Sequence, residues 1–223
     1  MLNAITERLN VINTQLEPYN PKIVAVTKYF DETTIIEYFK AGLRNFGENR
    51  VIDALKKISK LPDEVKNNSK FHLIGHLQTN KVKLAVGNFD LIHSVDSLKL
   101  AEAISNEAQR KGIIQDILLQ INNAEEDSKF GFSVKSIYDC MAKLTALPSI
   151  KIQGLMNIAP LSQNEHYLRI LFRDMNKLKN DLSLKFNIEL KELSMGMSND
   201  FRIAAEEGAT IVRLGRILFK NDL

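Results

Sequence analysis

"IVAVTKYF", residues 23–30, is an apolar run that ends on a lysine. Ile23, Val24, Ala25 and Val26 are β-branched or small, the composition of a strand buried on both faces. Lys28 then stands at the carboxyl end of that strand, where α/β folds gather their chemistry. The run predicts a parallel architecture with an amine delivered to its functional edge.

Upstream, "MLNAITERLNVINTQLE" places Leu2, Ile5, Leu9, Ile12 and Leu16 at helical spacing, with Glu7 and Arg8 between them. That is an amphipathic helix and not a signal peptide. Downstream, helix and strand patterns alternate with short connections. "TTIIEYFKAG" reads as a helix with Asp31 as N-cap and Gly42 as its stop. "LRNF", "FHLIG", "LIHSV", "ILLQIN", "IKIQGLMNI", "IELKELSM" and "TIVRLGRILF" read as further strands. Between them lie helical patterns, the longest with Leu168, Leu171, Met175, Leu178 and Leu182 as an apolar stripe. Repeated βα units with right-handed crossovers make a doubly wound sheet or a closed barrel. The number of units and the length favour a (β/α)8 TIM barrel, with the first helix as the eighth outer helix.

The chain has 223 residues and no low-complexity break, and it reads as a single domain over 1–223. Its net charge of +3 suits a small anion better than nucleic acid, which favours clustered basic stripes. Cys140 is the only cysteine, so no intrachain disulfide forms, in keeping with a reducing compartment. No apolar stretch approaches the roughly 18 residues of a membrane span. The expectation is a cytoplasmic protein without a membrane partner.

Polar residues gather at the carboxyl ends of the strands. They are Lys28, then Glu48 and Asn49, then His76, then His93 and Ser94, then Asn122, Asn157, Ser194, and finally Arg213 with Gly215. In a parallel barrel all these ends open onto one face. Two segments look suited to phosphate. In "ELSMGMSND", Ser198 or Asn199 is placed to cap a helix whose free N–H groups face an anion. In "VRLGR", Gly215 lets backbone approach a ligand, with a cation on either side. A lysine buried near the mouth loses hydration, which frees its amine to attack a carbonyl. Aldehyde and phosphate on one small molecule point to pyridoxal 5′-phosphate; a sugar phosphate on an aldolase-type lysine is the competing case.

Several other residues read as structural. His72 and His76 are four apart on a strand and loop, so they do not form a metal pair, and no metal is expected. His93 reads as a hydrogen-bonded, half-buried histidine. Cys140 reads as packing. Lys56, Lys57, Lys60, Lys81 and Lys83 read as solvated helix faces. Lys129, in a loop over the mouth, reads as exposed or as a guide for an anion.

"VAVTKY", "NFGENRVIDALKK", "FHLIGHLQTNKVK", "LLQINNAEEDSKFGF", "GLMNI" and "LSMGMSNDFRIAAEEGATIVRLG" occur in this order. Together they resemble the pyridoxal phosphate homeostasis protein family, whose barrel is related to that of alanine racemase. The resemblance implies an alanine racemase-like barrel without the second β-domain, and pyridoxal 5′-phosphate as cofactor. It implies Lys28 as the Schiff-base lysine and phosphate contacts from Ser194, Ser198 and the backbone around Gly215 and Arg216. It places Arg213 near the pyridine nitrogen, with Asn49, His76 and Met195 among the surrounding residues. A permanent cation there disfavours ring protonation and limits carbanion chemistry. The chain departs from the family pattern at Phe71, often Trp, at Arg216, usually a small hydroxyl residue, and at Lys220, usually glycine.

Two functions follow from this. One is a non-catalytic carrier that binds, buffers and delivers the cofactor, with pyridoxal-dependent apoenzymes as recipients. The alternative is a racemase-like amino-acid enzyme. Two-face proton transfer needs a second base, and neither Tyr29 nor Tyr138 is convincingly placed for it. With the chain ending at Leu223, the β-domain that carries that base in racemases is not expected. The carrier reading is therefore preferred, with no catalytic residue, and a complete barrel is expected to be a monomer.

Overall fold

The computed structural model describes residues 2–124 and 130–219. Lys129 and Lys220, and the side chain of Leu2, lie outside the described residues. Eight parallel strands close into a barrel in sequence order. They are β1 (Lys22–Val26), β2 (Asn45–Glu48), β3 (Lys70–Leu73), β4 (Leu91–Val95), β5 (Gln115–Gln120), β6 (Ile150–Met156), β7 (Glu192–Ser194) and β8 (Ile211–Leu214). The decisive stretch closes the circle: Val24 pairs with Arg213 of β8, and Ala25 pairs with both Leu214 of β8 and Phe46 of β2.

The outer layer contains α1 (Leu2–Leu16), α2 (Glu32–Lys40), α3 (Val51–Ser59), α4 (Asp63–Asn67), α5 (Val82–Ala85), α6 (Leu98–Lys111), α7 (Val134–Thr145), α8 (Glu165–Phe186), α9 (Phe201–Glu206) and α10 (Arg216–Phe219). Their ends follow local chemistry. Asp31, Ser97, Ser133 and Asn164 each accept a hydrogen bond from a first-turn N–H, and Gly112 ends α6 in the left-handed region at φ 67°. The apolar stripe of α8 is buried throughout, each leucine contributing about 2 kcal/mol by leaving water. In α1, Ile5, Leu9, Ile12 and Leu16 are buried, and the helix packs beside α2, α9 and α10, taking the outer position expected of it. Arg8 and the Tyr38 hydroxyl both donate to the carbonyl of Leu218, tying α10 to this face.

Most of the core lies between the strands and the helices. Inside the barrel sits a small separate cluster of Val24, Leu91, Leu118, Met156 and Ile211. Because side chains alternate along a strand, the residues two positions beyond Leu91 and Ile211 also face the axis. These are His93 and Arg213, so the floor is apolar and the layer above it is polar.

The structure departs from the sequence reading at several points. β2 extends through Glu48 and does not stop at Phe46, so Glu48 is a buried barrel residue. The last helix before β8 begins at Phe201 with Asp200 at its N-cap position, and neither Ser198 nor Asn199 caps it. Asp200 instead accepts from the Met197 N–H at 2.6 Å, which tightens the preceding turn. His93 is fully buried and not half-buried. The short helices α4 and α10 carry too few residues for a periodic signal.

Candidate functional site at the barrel mouth

The carboxyl ends of the strands carry two groups of polar side chains. On the β7–β8 side, Arg213 is enclosed, and its Nη1 donates to Ser194 Oγ at 2.7 Å while Nη2 donates to the Asn157 carbonyl at 2.7 Å. Burial lowers its pKa from the ordinary guanidinium range to about 10, partly offset by the charge of Asp200. It therefore remains a cation at neutral pH. Asp200 itself is pushed above the usual carboxylate range by burial, against the Met197 N–H bond and the Arg213 charge. Asn157 Nδ2 donates to Asn123 Oδ1 at 3.0 Å, but Asn157 Oδ1 is buried with no partner. Such an atom is costly to bury unpaired and marks a place where a donor is missing.

Above Arg213, the turn of "SMGMS" depends on Gly196, whose φ is +88°. A side chain there would place its Cβ 2.5 Å from Ala204 Cβ, so glycine is required for both conformation and space. Met195 is buried, and the turn carries Ser198 out to β8. Ser198 Oγ accepts from the N–H groups of Gly215 and Ile217 at 3.3 and 3.4 Å. These contacts are long, and a charged oxygen acceptor would improve on them. Arg216 is exposed, with its guanidinium 3.5 Å from Asn199 Oδ1.

On the β1–β3 side, Lys28 follows β1 in a turn and is exposed. This corrects the expectation of a buried, dehydrated amine, because β1 ends at Val26 and Thr27, the last enclosed residue, lifts Lys28 onto the rim. Its ammonium lies 4.9 Å from the Tyr29 ring centroid, and among the described residues no hydrogen bond or ion pair holds it. Beneath it is a firm floor. Lys57 Nζ donates to Glu48 Oε1 at 2.6 Å and to the Thr27 carbonyl at 2.7 Å, and Thr27 Oγ1 donates to the same Glu48 oxygen at 2.6 Å. Lys57 is thus an interior cation with its side chain 10% exposed, not part of a solvated helix face. Position 57 continues the face on which α3 carries Val51 and Ala54 inward, but a lysine there reads as solvent-facing in the sequence, so its burial is not legible from the pattern.

Asn49 joins two neighbouring cavities. One, of about 200 Å³, is lined by Lys28, Glu48 and Asn49; the other, of about 350 Å³, by Asn49, Arg50, His76 and Lys81. His76 is partly exposed, its Nδ1 lies 3.2 Å from Asp96 Oδ2, and its ring stacks on Phe130 at 3.9 Å. Asp96 falls in no motif, and Phe130, although it lies in "LLQINNAEEDSKFGF", has no role in the sequence reading. Among the described residues no hydrogen bond links the Lys28 group to the Ser194–Arg213 group, although both occupy the same end of the barrel. No cluster of three or more metal-ligating side chains occurs among the described residues, and none of their helices is long and apolar enough to cross a membrane.

A closed parallel barrel with a rim lysine just after its first strand and an arginine inside its last defines a class. The family described as alanine racemase, N-terminal domain, matches residues 1–222. Within that class, the chain belongs to the pyridoxal phosphate homeostasis protein family. A member from Aquifex aeolicus (strain VF5) is 40% identical over 198 residues, covering 89% of this chain and 86% of the relative. A member from Synechocystis is 36% identical and covers 92% and 94%. The structure of PipY from Synechococcus elongatus PCC7942 with PLP bound superposes with a TM-score of 0.87 at 37% identity, over 97% of this chain and 100% of that one. An alanine racemase from Clostridium difficile 630 shares the fold alone, with a TM-score of 0.80 at 16% identity; the match covers 99% of this chain and 61% of the racemase.

Proposed function

We propose that the protein binds pyridoxal 5′-phosphate at the barrel mouth and acts in its intracellular homeostasis, holding, buffering and delivering the cofactor. The observation that carries this reading is the pairing of an unheld amine, Lys28, with a permanently cationic, enclosed Arg213 at one barrel end. The residues present fit the cofactor. Asn157 Oδ1 lacks a donor, and the long Ser198 contacts leave the Gly215 and Ile217 N–H groups open to a better acceptor. PipY, at 37% identity, has been solved with PLP bound, which supports the same ligand here.

In this reading the Lys28 amine captures the aldehyde, with Asn49 and His76 on that side of the mouth. Ser194, Met195 and Ser198, with the backbone of Gly215 and Arg216, hold the phosphate end, and Arg213 faces the ring nitrogen. When bound, the cofactor supplies an aldehyde and a conjugated ring able to accept electrons. Arg213 works against the second property, because a fixed cation opposes protonation of the ring nitrogen. The arrangement retains the molecule without promoting carbanion chemistry, and the relatives' homeostasis names, in place of a racemase name, agree with this. We further infer a cytoplasmic monomer that hands the cofactor to apoenzymes.

The test is the visible absorption band of a conjugated pyridoxal imine after loading with pyridoxal 5′-phosphate. Lys28→Ala should abolish the band, and borohydride reduction of the wild type should fix the adduct at Lys28. A band that persists in the variant, or an adduct that maps to Lys57 or Lys129, would overturn the assignment. Steady interconversion of D- and L-amino acids at ordinary enzymatic rates would replace the carrier with the racemase.

A further inference from the structure

A line of polar side chains crosses the barrel interior below the mouth. Starting at Arg213, Nη1 donates to Ser194 Oγ at 2.7 Å. Ser194 Oγ lies 3.0 Å from His93 Nδ1, His93 Nε2 lies 2.9 Å from His72 Nδ1, and His72 Nε2 lies 3.2 Å from Asn45 Oδ1. His72, His93, Ser194 and Arg213 are all buried, so water does not satisfy them. The line runs from β8 through β7, β4 and β3 to the start of β2, spanning the barrel interior.

With Asn45 Oδ1 turned to His72, only one direction of donation satisfies every group in the line. Arginine has donors and no acceptor, so Ser194 Oγ must accept from it. The single Ser194 proton is then free for His93 Nδ1, which must be bare to take it. His93 carries its proton on Nε2 and donates to a bare His72 Nδ1; His72 in turn donates from Nε2 to the Asn45 carbonyl oxygen. The reverse direction fills both Ser194 lone pairs but leaves the Ser194 proton without a partner in the line, and it sets a bare ring nitrogen against the Asn45 oxygen. Burial opposes a charge on either ring, lowering His72 to about 4 and His93 well below 6.5, with Arg213 adding repulsion at His93.

We propose that this line is a positioning relay: His93, backed by His72 and Asn45, accepts a hydrogen bond from the Ser194 hydroxyl at Nδ1 and so keeps the Ser194 lone pair turned toward Arg213. With Nη2 fixed on the Asn157 carbonyl, the guanidinium is held at both nitrogens in one orientation. His93 is a positioning residue, acting on Arg213 only through Ser194. This deepens the proposed function and rests on it for its purpose, since an orientation matters most if Arg213 faces the cofactor ring. The relay itself is a property of the chain alone.

The experiment therefore uses the full-length protein without cofactor. Long-range proton–nitrogen correlation spectra, with the buried rings assigned through His76→Ala and His166→Ala, should show both His72 and His93 neutral and protonated at Nε2. The Arg213 Nη protons should give separate signals, the mark of hindered guanidinium rotation. His93→Leu should merge those signals, and His93→Asn, which returns an acceptor near the Nδ1 position, should restore them. A His93 ring protonated at Nδ1, or doubly protonated, would overturn the relay even if His93→Leu does not fold. Unchanged Arg213 signals in a folded His93→Leu protein would also overturn it. Loss of the Lys28 imine assignment would leave both readouts unaffected, so the two failures are distinguishable.

Discussion

The two walls of the barrel mouth are built to different degrees of completion. On the β7–β8 wall the charged group is fixed: Arg213 is bonded at both terminal nitrogens, and the Gly196 turn carries Ser198 to the N–H groups just beyond β8. On the β1–β3 wall the floor is fixed and the rim at β1 is not. Thr27, Glu48 and Lys57 are locked together, while Lys28 and Tyr29 above them are exposed. The contrast suits a ligand held at two ends by different chemistry. A phosphate and a ring nitrogen are recognised by preorganised donors, whose benefit lies in needing no reordering on binding. An aldehyde is captured by bond formation, which needs an amine that can reach and then release.

The strongest way to break this contrast is to remove its fixed floor. Glu48→Gln or Lys57→Met leaves the opposite charge enclosed without its counter-ion, and each should cost about 3–5 kcal/mol in denaturant unfolding. The double replacement should cost less than the sum, because no lone charge then remains. Single losses below about 1 kcal/mol would mean that the floor is as yielding as the rim above it.

A second measurement sharpens the comparison by testing the interior beneath the fixed wall. His72 titrates near 6.5 when unfolded and at about 4 when folded, with burial as the leading cause. Between those values the unfolded chain binds more protons, so stability falls as the pH falls from about 6.5 to about 4. At pH 5 the loss from this one ring is about 2 kcal/mol. The neighbouring charges of Asp90, Lys22, Glu192 and Lys70 modulate the shift without reversing it. His72→Gln should flatten the decline over this range in a series of thermal melts. An equally steep decline in the variant would place its origin elsewhere.

The same contrast governs what could be read from the sequence. The barrel was legible because most strands fall in short apolar runs and the longer helices repeat a stripe, as in residues 23–26 and in α8. Lys28, Ser194, Ser198 and Arg213 were legible because they close strands or sit in a glycine turn. The burial of Lys57 was not, since a lysine on an amphipathic helix ordinarily faces water, and only the approach of Glu48 turns it inward. Nor was the line through His72 and His93 visible. Its members lie on five strands, and their contact depends on barrel closure, not on any spacing along the chain. The capping role expected of Ser198 failed for a related reason: its partners, Gly215 and Ile217, come from the far end of the sequence.

The smallest expected effect is the most discriminating. Lys28 is exposed, and its one contact is a cation–π approach to an exposed ring, worth about 0.5–1 kcal/mol at most in such a setting. Lys28→Ala should therefore shift the unfolding free energy by less than about 1 kcal/mol in the cofactor-free protein. The loaded proteins should differ sharply, because a ligand bound only to the folded state adds stability in proportion to the logarithm of its concentration over its dissociation constant. The wild type should gain in melting temperature on adding pyridoxal 5′-phosphate, and the variant should gain much less. If the cofactor-free variant is already destabilised by several kcal/mol, Lys28 belongs to the floor and not to the rim, and the asymmetry between the walls disappears. If both loaded proteins gain equally, the β7–β8 wall alone supplies the affinity, and the amine then governs retention time and not binding strength.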